Sequence, residues 1–186
     1  MSPAAATPSP LVRDAAVTDL AAISEIYNAL VPTTTVAWTE HPETLADRTA
    51  WFERQTADGY PVLVAQLGGE GDDDVVGFAS YGSFRGAGKW PGYRLTVEHT
   101  IHVREPYWRS GIGRLLLTAL VDRAVGAGLH VMIGAVDGAN ATSLAFHQRL
   151  GFTEVARLPE VGIKFGRWLD LVLVQRVLDS APATDR

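Results

Sequence analysis

The chain contains no cysteine. A disulfide framework, a thiolate metal site and a cysteine nucleophile are excluded together. Basic residues are scarce relative to acidic ones. With 16 Lys and Arg against 21 Asp and Glu, the net charge is −5, a poor footprint for a polyanion partner, so nucleic acid is not expected. No apolar run approaches the roughly 20 residues that would span a bilayer. Residues 1–10 carry three prolines and no basic start, unlike a secretory signal. They read as a flexible tail, as do residues 179–186, and a cytoplasmic protein is expected. Internal repeats and a second linker are also missing. At 47% apolar and 20% charged, the composition is that of an ordinary globular domain, placed at 11–178.

Hydrophobic period and turn residues predict the elements. Residues 11–15 read as a strand. Thr18 is placed to cap a helix running to Pro32, and a second helix is expected over 42–58. Strands follow at 60–67 and 75–81, joined by a Gly- and Asp-rich turn, and then a glycine-rich loop over 82–92. A strand at 94–103, a helix at 114–125, a strand at 129–136 and a helix from Asn140 to Gly151 come next. Strands at 152–158 and 168–177 close the domain. The order β-α-α-β-β-β-α-β-α-β-β implies an α/β (α+β) domain with a mixed sheet and helices on both faces.

Three constellations could carry chemistry. On the strand 96–103, Thr96, Glu98, Thr100 and His102 share one face. On spacing alone that pattern reads first as the solvated side of a sheet; the functional alternative is a carboxylate base in a cleft, its pKa raised by burial. The second is Arg109-Ser110-Gly111-Ile112-Gly113-Arg114 at a strand–loop–helix junction. Exposed amides at a helix start attract phosphate, and glycine lets backbone approach closely. The Rossmann third glycine and the P-loop Lys-Ser/Thr are both missing. The third is the helix after Asn140, which puts Asn140, Leu144 and His147 in one stripe. As isolated residues, Asn140 reads as a cap and His147 as a buried histidine. His41, His99 and His130 show no metal-ligand pattern, and no metal is expected.

Together these residues resemble the GNAT-superfamily N-acetyltransferases, and within them the phosphinothricin / methionine sulfoximine acetyltransferase branch. The matching residues are Ile26-Tyr27-Asn28, Thr33-Thr34-Thr35 with Trp38, Trp51-Phe52, Gly77-Phe78-Ala79, Thr96-Val97-Glu98, Gly111-Ile112-Gly113 and Asn140 through Phe152. They span about residues 11–178. One departure is Trp108, where the superfamily loop carries Gln or Arg.

The resemblance implies a GNAT fold with a mostly antiparallel mixed sheet, and acetyl transfer from acetyl-CoA to a primary amine. Glu98 would be the general base. His147, in a place where many relatives carry tyrosine, would protonate the leaving thiolate. Ile101, His102 and Val103 would hold the acyl and pantetheine portion, Arg109 through Arg114 the diphosphate, and Asn140 the acyl end. Acceptors in this branch are small amino acids with a tetrahedral polar side chain. Arg85 is the candidate carboxylate clamp, with Lys89, Tyr93, Thr34 and Thr35 beside it. Dimers are common in the branch, and the apolar strand opened by Trp168 is the candidate contact. Another amine acceptor, or a non-catalytic acyl-CoA-binding module, remains open at this level.

Overall fold

A computed structural model describes residues 10–68, 74–86 and 88–178. The tails predicted at either end lie outside these residues, apart from Pro10, as do residues 69–73 of the predicted turn from Gly68 to Asp74. The elements are β1 (Pro10–Asp14), α1 (Leu20–Leu30), α2 (Leu45–Ala57), β2 (Val62–Leu67), β3 (Asp74–Ser83), β4 (Thr96–Val103), α3 (Ile112–Gly126), β5 (Val131–Asp137), α4 (Ala141–Arg149), β6 (Thr153–Lys164) and β7 (Arg167–Val177). They form one seven-stranded sheet in the order β1-β2-β3-β4-β5-β7-β6. Only β4 and β5 run parallel; all other neighbours are antiparallel.

Strand alternation divides the apolar side chains between two cores. On one face Ala79, Tyr81, Val97 and Met132 pack against Leu116, Leu117 and Leu120 of α3. On the other, Val62, Val64 and Phe78 pack against Leu20, Ile23 and Ile26 of α1, with Trp51 and Phe52 of α2 beside them. The expected order of elements and the two helical faces are both present.

Three boundaries differ from expectation, each for a local reason. Thr18 does not cap α1. It sits within a single 3-10 turn, Val17–Asp19, where the Asp19 carboxylate accepts the Ala16 N–H at 2.7 Å and the Arg13 guanidinium at 2.7 and 2.9 Å. Pro42 does not open α2. Thr44 caps it instead, with Asp47 returning a hydrogen bond to the Thr44 N–H at 2.9 Å, the reciprocal capping box. Finally, β6 runs past Pro159 and Gly162 to Lys164. A register slip between Leu158 and Gly162 absorbs the two breakers, with Glu160 at φ 54° and its N–H held by Asp170 at 3.0 Å.

The feature that positions the site is the brevity of the parallel pairing. β4 and β5 pair only through Thr96–His99 and Val131–Gly134. Beyond that, β4 stays paired to β3 as far as Val103, and β5 stays paired to β7 as far as Asp137. Each diverging stretch therefore has one satisfied edge and one edge turned towards an opening. Among the described residues no helix is long and apolar enough to cross a membrane.

Candidate active site

The opening between the parted strands is a cleft of about 280 Å³. Thr100, Ile101 and His102 form one wall and Ala135, Val136 and Asp137 the other. Helix α4 closes one end through Asn140, Ser143 and His147, and the irregular segment 31–40 closes the side through Thr35, Val36 and Trp38. A second recess of about 250 Å³ lies towards α2, lined by Trp51, Gln55, Ser80 and Glu98. Thr100 lines both, so the two spaces adjoin along β4.

Glu98 is an exposed residue that lines the recess, which shields its carboxyl from water only in part. Burial raises its pKa above the ordinary carboxylate value. Beside it, Gln55 donates to Ser80 Oγ at 2.6 Å and to the Tyr81 carbonyl at 2.9 Å. The recess wall is thereby held to α2.

The loop after β4 has the form an anion requires. Trp108 Nε1 donates to the Val103 carbonyl at 2.8 Å, and Ser110 Oγ to the Tyr107 carbonyl at 2.6 Å. Arg109 turns the chain with φ 64° and Gly111 with φ 93°. Gly111 is the N-cap of α3 and has no side chain to cap it. The first-turn amides of Ile112, Gly113 and Arg114 therefore lack an internal side-chain acceptor.

Residues 23–152 match the Acetyltransferase (GNAT) family. The chain belongs to that family of acetyltransferases. The methionine sulfoximine/methionine sulfone acetyltransferase of Pseudomonas aeruginosa is 47% identical, covering 92% of this chain and 98% of that protein. A phosphinothricin N-acetyltransferase of Alcaligenes faecalis is 35% identical over 89% of this chain and 81% of its own length. The phosphinothricin acetyltransferase of Sinorhizobium meliloti, solved in complex with acetyl-CoA, superposes with a TM-score of 0.87 at 35% identity, covering 95% of this chain and 92% of that one.

Several residues marked in the sequence converge on this GNAT cleft. Ile101, His102, Asn140, His147 and Thr35 line it. Val103 continues the same wall and anchors Trp108. Asn140 also caps α4, its Oδ1 accepting the Ser143 N–H at 3.0 Å. Arg109 and Arg114 flank the loop and are exposed, whereas the Ile112 side chain is buried beneath it. Others lie elsewhere. Thr34 is turned to the end of α1, donating to the Leu30 carbonyl at 2.7 Å. Arg85, Lys89 and Tyr93 line neither space. They sit on the exposed loop beyond Ser83, with Arg85 stacked 5.7 Å from the Tyr93 ring and Lys89 over Trp90. Both long side chains pair with neighbouring aromatic rings.

His147 is buried. Its Nδ1 lies 2.7 Å from the Ser143 carbonyl. A carbonyl only accepts, so the proton is on Nδ1 and Nε2 carries a lone pair, buried without a protein partner. In that tautomer Nε2 has no proton to give a thiolate. Burial lowers the His147 pKa, and the Ser143 contact opposes this only in part.

Two residues went unmarked in the sequence. Asp137, at the end of β5, accepts the Thr35 hydroxyl and the Ala139 N–H at 3.0 Å. His99, which looked like one of several scattered histidines, lies against His147 with ring centroids 5.2 Å apart. Gly134 makes room for it, since a Cβ there would lie 2.7 Å from His99 Nε2. The alternation of β4 was the available signal, because it sets His99 on the face opposite Glu98.

Burial pushes His99 down to about 3, with His147 and His102 nearby adding to the shift. Burial likewise pushes His102 down to about 4, aided by Arg48. The unfolded chain therefore takes up protons near pH 6.5 that the folded chain refuses, and stability must fall as pH drops below that value. Each of the two imidazoles is expected to cost roughly 2 kcal/mol by pH 5. Urea unfolding at pH 7 and pH 5 checks this; equal stabilities would show that the imidazoles are not held neutral.

Proposed function

We propose that the chain moves the acetyl group of acetyl-CoA to the primary amine of a small amino acid or toxic analogue of the phosphinothricin and methionine sulfoximine type. The observation that carries the reading is the adjacency of two spaces along one strand. The open edge of β4 faces the parted-strand cleft, and Glu98 stands in the recess that meets this cleft at Thr100. Support for the donor comes from the Sinorhizobium relative in complex with acetyl-CoA. Support for the acceptor class comes from the relatives acting on methionine sulfoximine and phosphinothricin.

In this reading the amides of Ser110 through Arg114 receive the diphosphate, with Arg109 and Arg114 adding charge. The free edge of Ile101, His102 and Val103 takes the pantetheine arm and polarises the thioester carbonyl. Asn140 and Thr35 border the acyl end. Glu98 removes the ammonium proton, directly or through one water, so that the nitrogen lone pair can form the C–N bond as the C–S bond breaks. His147 serves as a neutral acceptor at the wall, and the departing thiolate takes its proton from solvent. In the same reading Arg85, two residues beyond Ser83 of the recess, leaves the Tyr93 ring to pair with the acceptor carboxylate, with Lys89 and Tyr93 on the same loop and Thr34 behind the cleft wall.

A cytoplasmic location is part of the same reading. A homodimer is part of the same proposal. Val155, Val161, Ile163 and Trp168 on the β6–β7 hairpin are 51%, 50%, 59% and 62% exposed. A two-fold partner presenting the same face would cover them.

Glu98→Gln should lower the acetyl-transfer rate at neutral pH roughly 10²- to 10⁴-fold. The wild-type rate should fall as pH drops through a pKa above the ordinary carboxylate value, because only the ionised base is active. Thiol release followed against pH reads both, and an unchanged rate in Glu98→Gln removes this residue from the chemistry. Arg85→Ala should raise the KM for phosphinothricin about tenfold or more while leaving that for acetyl-CoA alone, as loss of a charge-assisted pair implies. Preference for polyamines in the same assay would move the acceptor class. Replacing Ile163 and Trp168 together by Glu should convert a dimer to a monomer in size-exclusion chromatography with light scattering; a dimer that persists would place the contact elsewhere.

A further inference from the structure

Lys164 ends β6 and is 1% exposed, among the most buried residues of the chain. Among the described residues its ammonium forms no ion pair with a carboxylate, though Glu40 is near enough to favour its charge. Nζ instead donates to the carbonyls of Val31, Thr34 and Ala37 at 2.7, 2.7 and 2.6 Å. Three donors meet three acceptors, which exhausts the ammonium. All three carbonyls belong to the segment 31–40, which has neither helix nor strand. Buried carbonyls in such a segment find no ladder, and each would be costly if left unpaired. An arginine fork is planar and could not converge on three carbonyls in this way.

Two further contacts join the same partners. The Trp38 ring lies over Gly162, where a Cβ would stand 2.3 Å from two ring carbons. Glu40 accepts the Phe165 N–H at 2.8 Å. Alternation along β6 turns Gly162 and Lys164 inward and Ile163 outward. The tip of the β6–β7 hairpin thus grips the segment at three places. That segment in turn gives Thr35, Val36 and Trp38 to the cleft, and Thr35 is tied across to Asp137 on β5.

We propose that Lys164 is a positioning residue, whose ammonium folds the segment 31–38 onto the hairpin tip and so sets the side wall of the cleft where acyl group and acceptor meet. Its part in catalysis rests on the acetyl-transfer reading above; its part in folding the segment does not. Lys164 touches neither substrate. It acts through Thr35, Val36 and Trp38.

Lys164→Met keeps the length and removes the donors. By hydrogen–deuterium exchange, amides of 31–38 should exchange roughly tenfold faster or more, while those of α3 keep wild-type protection. The KM for phosphinothricin or methionine sulfoximine should rise roughly tenfold, with acetyl-CoA affinity held within about threefold, because the diphosphate loop lies outside the grip. Gly162→Ala, which displaces the Trp38 ring and leaves Lys164 intact, should reproduce the KM shift and carries the test if Lys164→Met does not fold. Unchanged exchange in 31–38, or equal losses for acceptor and acetyl-CoA, would overturn the proposal. If the wild type acetylated no amine, the acetyl-transfer reading would fall, and the exchange arm would still decide whether Lys164 folds the segment.

Discussion

Two parallel strands that stop pairing after His99 and Gly134 dictate nearly everything else in this domain. Backbone N–H and C=O groups along a strand need partners. While β4 and β5 pair they provide each other's. Once they part, β3 and β7 still satisfy the outer edges, and the inner edges become a row of amides and carbonyls facing a cleft. A ligand with amides and a polarisable carbonyl of its own is the natural complement. The parting also explains the helix that follows β4. The loop over 104–111 leads the chain out of the sheet and begins α3 with its uncapped amides at the same end as the opening, so one long substrate can meet both.

Electrostatics sorts the ionisable groups around this opening by face. Glu98 points towards α2, where a recess partly dries its carboxyl and raises its proton affinity. His99 points to the opposite face and is held neutral by burial, as is His102 towards α1. The result is a carboxyl group whose pKa is raised by partial burial, beside imidazoles that stay uncharged. A positive charge at His102 would lower the affinity of Glu98 for a proton. Neutral histidines avoid that opposing shift.

Legibility followed the kind of signal each residue leaves. Strand and helix periods made the faces of Glu98 and His147 readable but fitted a solvated strand face and a buried histidine first, and a lone Gly111-Ile112-Gly113 fitted a tight turn; the resemblance to the GNAT N-acetyltransferases is what singled these residues out. The order of elements was readable from the same periods. The parting of β4 from β5 was not, since it depends on how far two distant segments pair. β6 was read short because Pro159, Glu160 and Gly162 are local breakers, and only the bulge opposite β7 lets a strand pass through them. Arg85 and Lys89 carry the right chemistry, yet spacing says nothing about which way a glycine-rich loop turns its side chains. Asp137 and Lys164 left no trace at all. An Asp ending a strand and a Lys before a Phe-Gly turn look like ordinary surface residues, and their partners are more than a hundred positions away.

That last pair shows how the two ends of the chain come to share one site. Segment 31–40 arrives early in the sequence, has no ladder of its own, and cannot hold a shape by local bonding. Hairpin β6–β7 arrives last and has a shape to spare, because its outer strand is bonded along its length to β7 alone. Lys164 and the bare backbone at Gly162 let the later element mould the earlier one, and Thr35 then fastens the moulded segment to β5. The cleft wall is therefore finished only when the final hairpin docks. The outward face of that hairpin carries Ile163, next to Lys164 on β6, and Trp168, its register partner on β7, so a partner docked on that face would bear on the element that shapes the cleft.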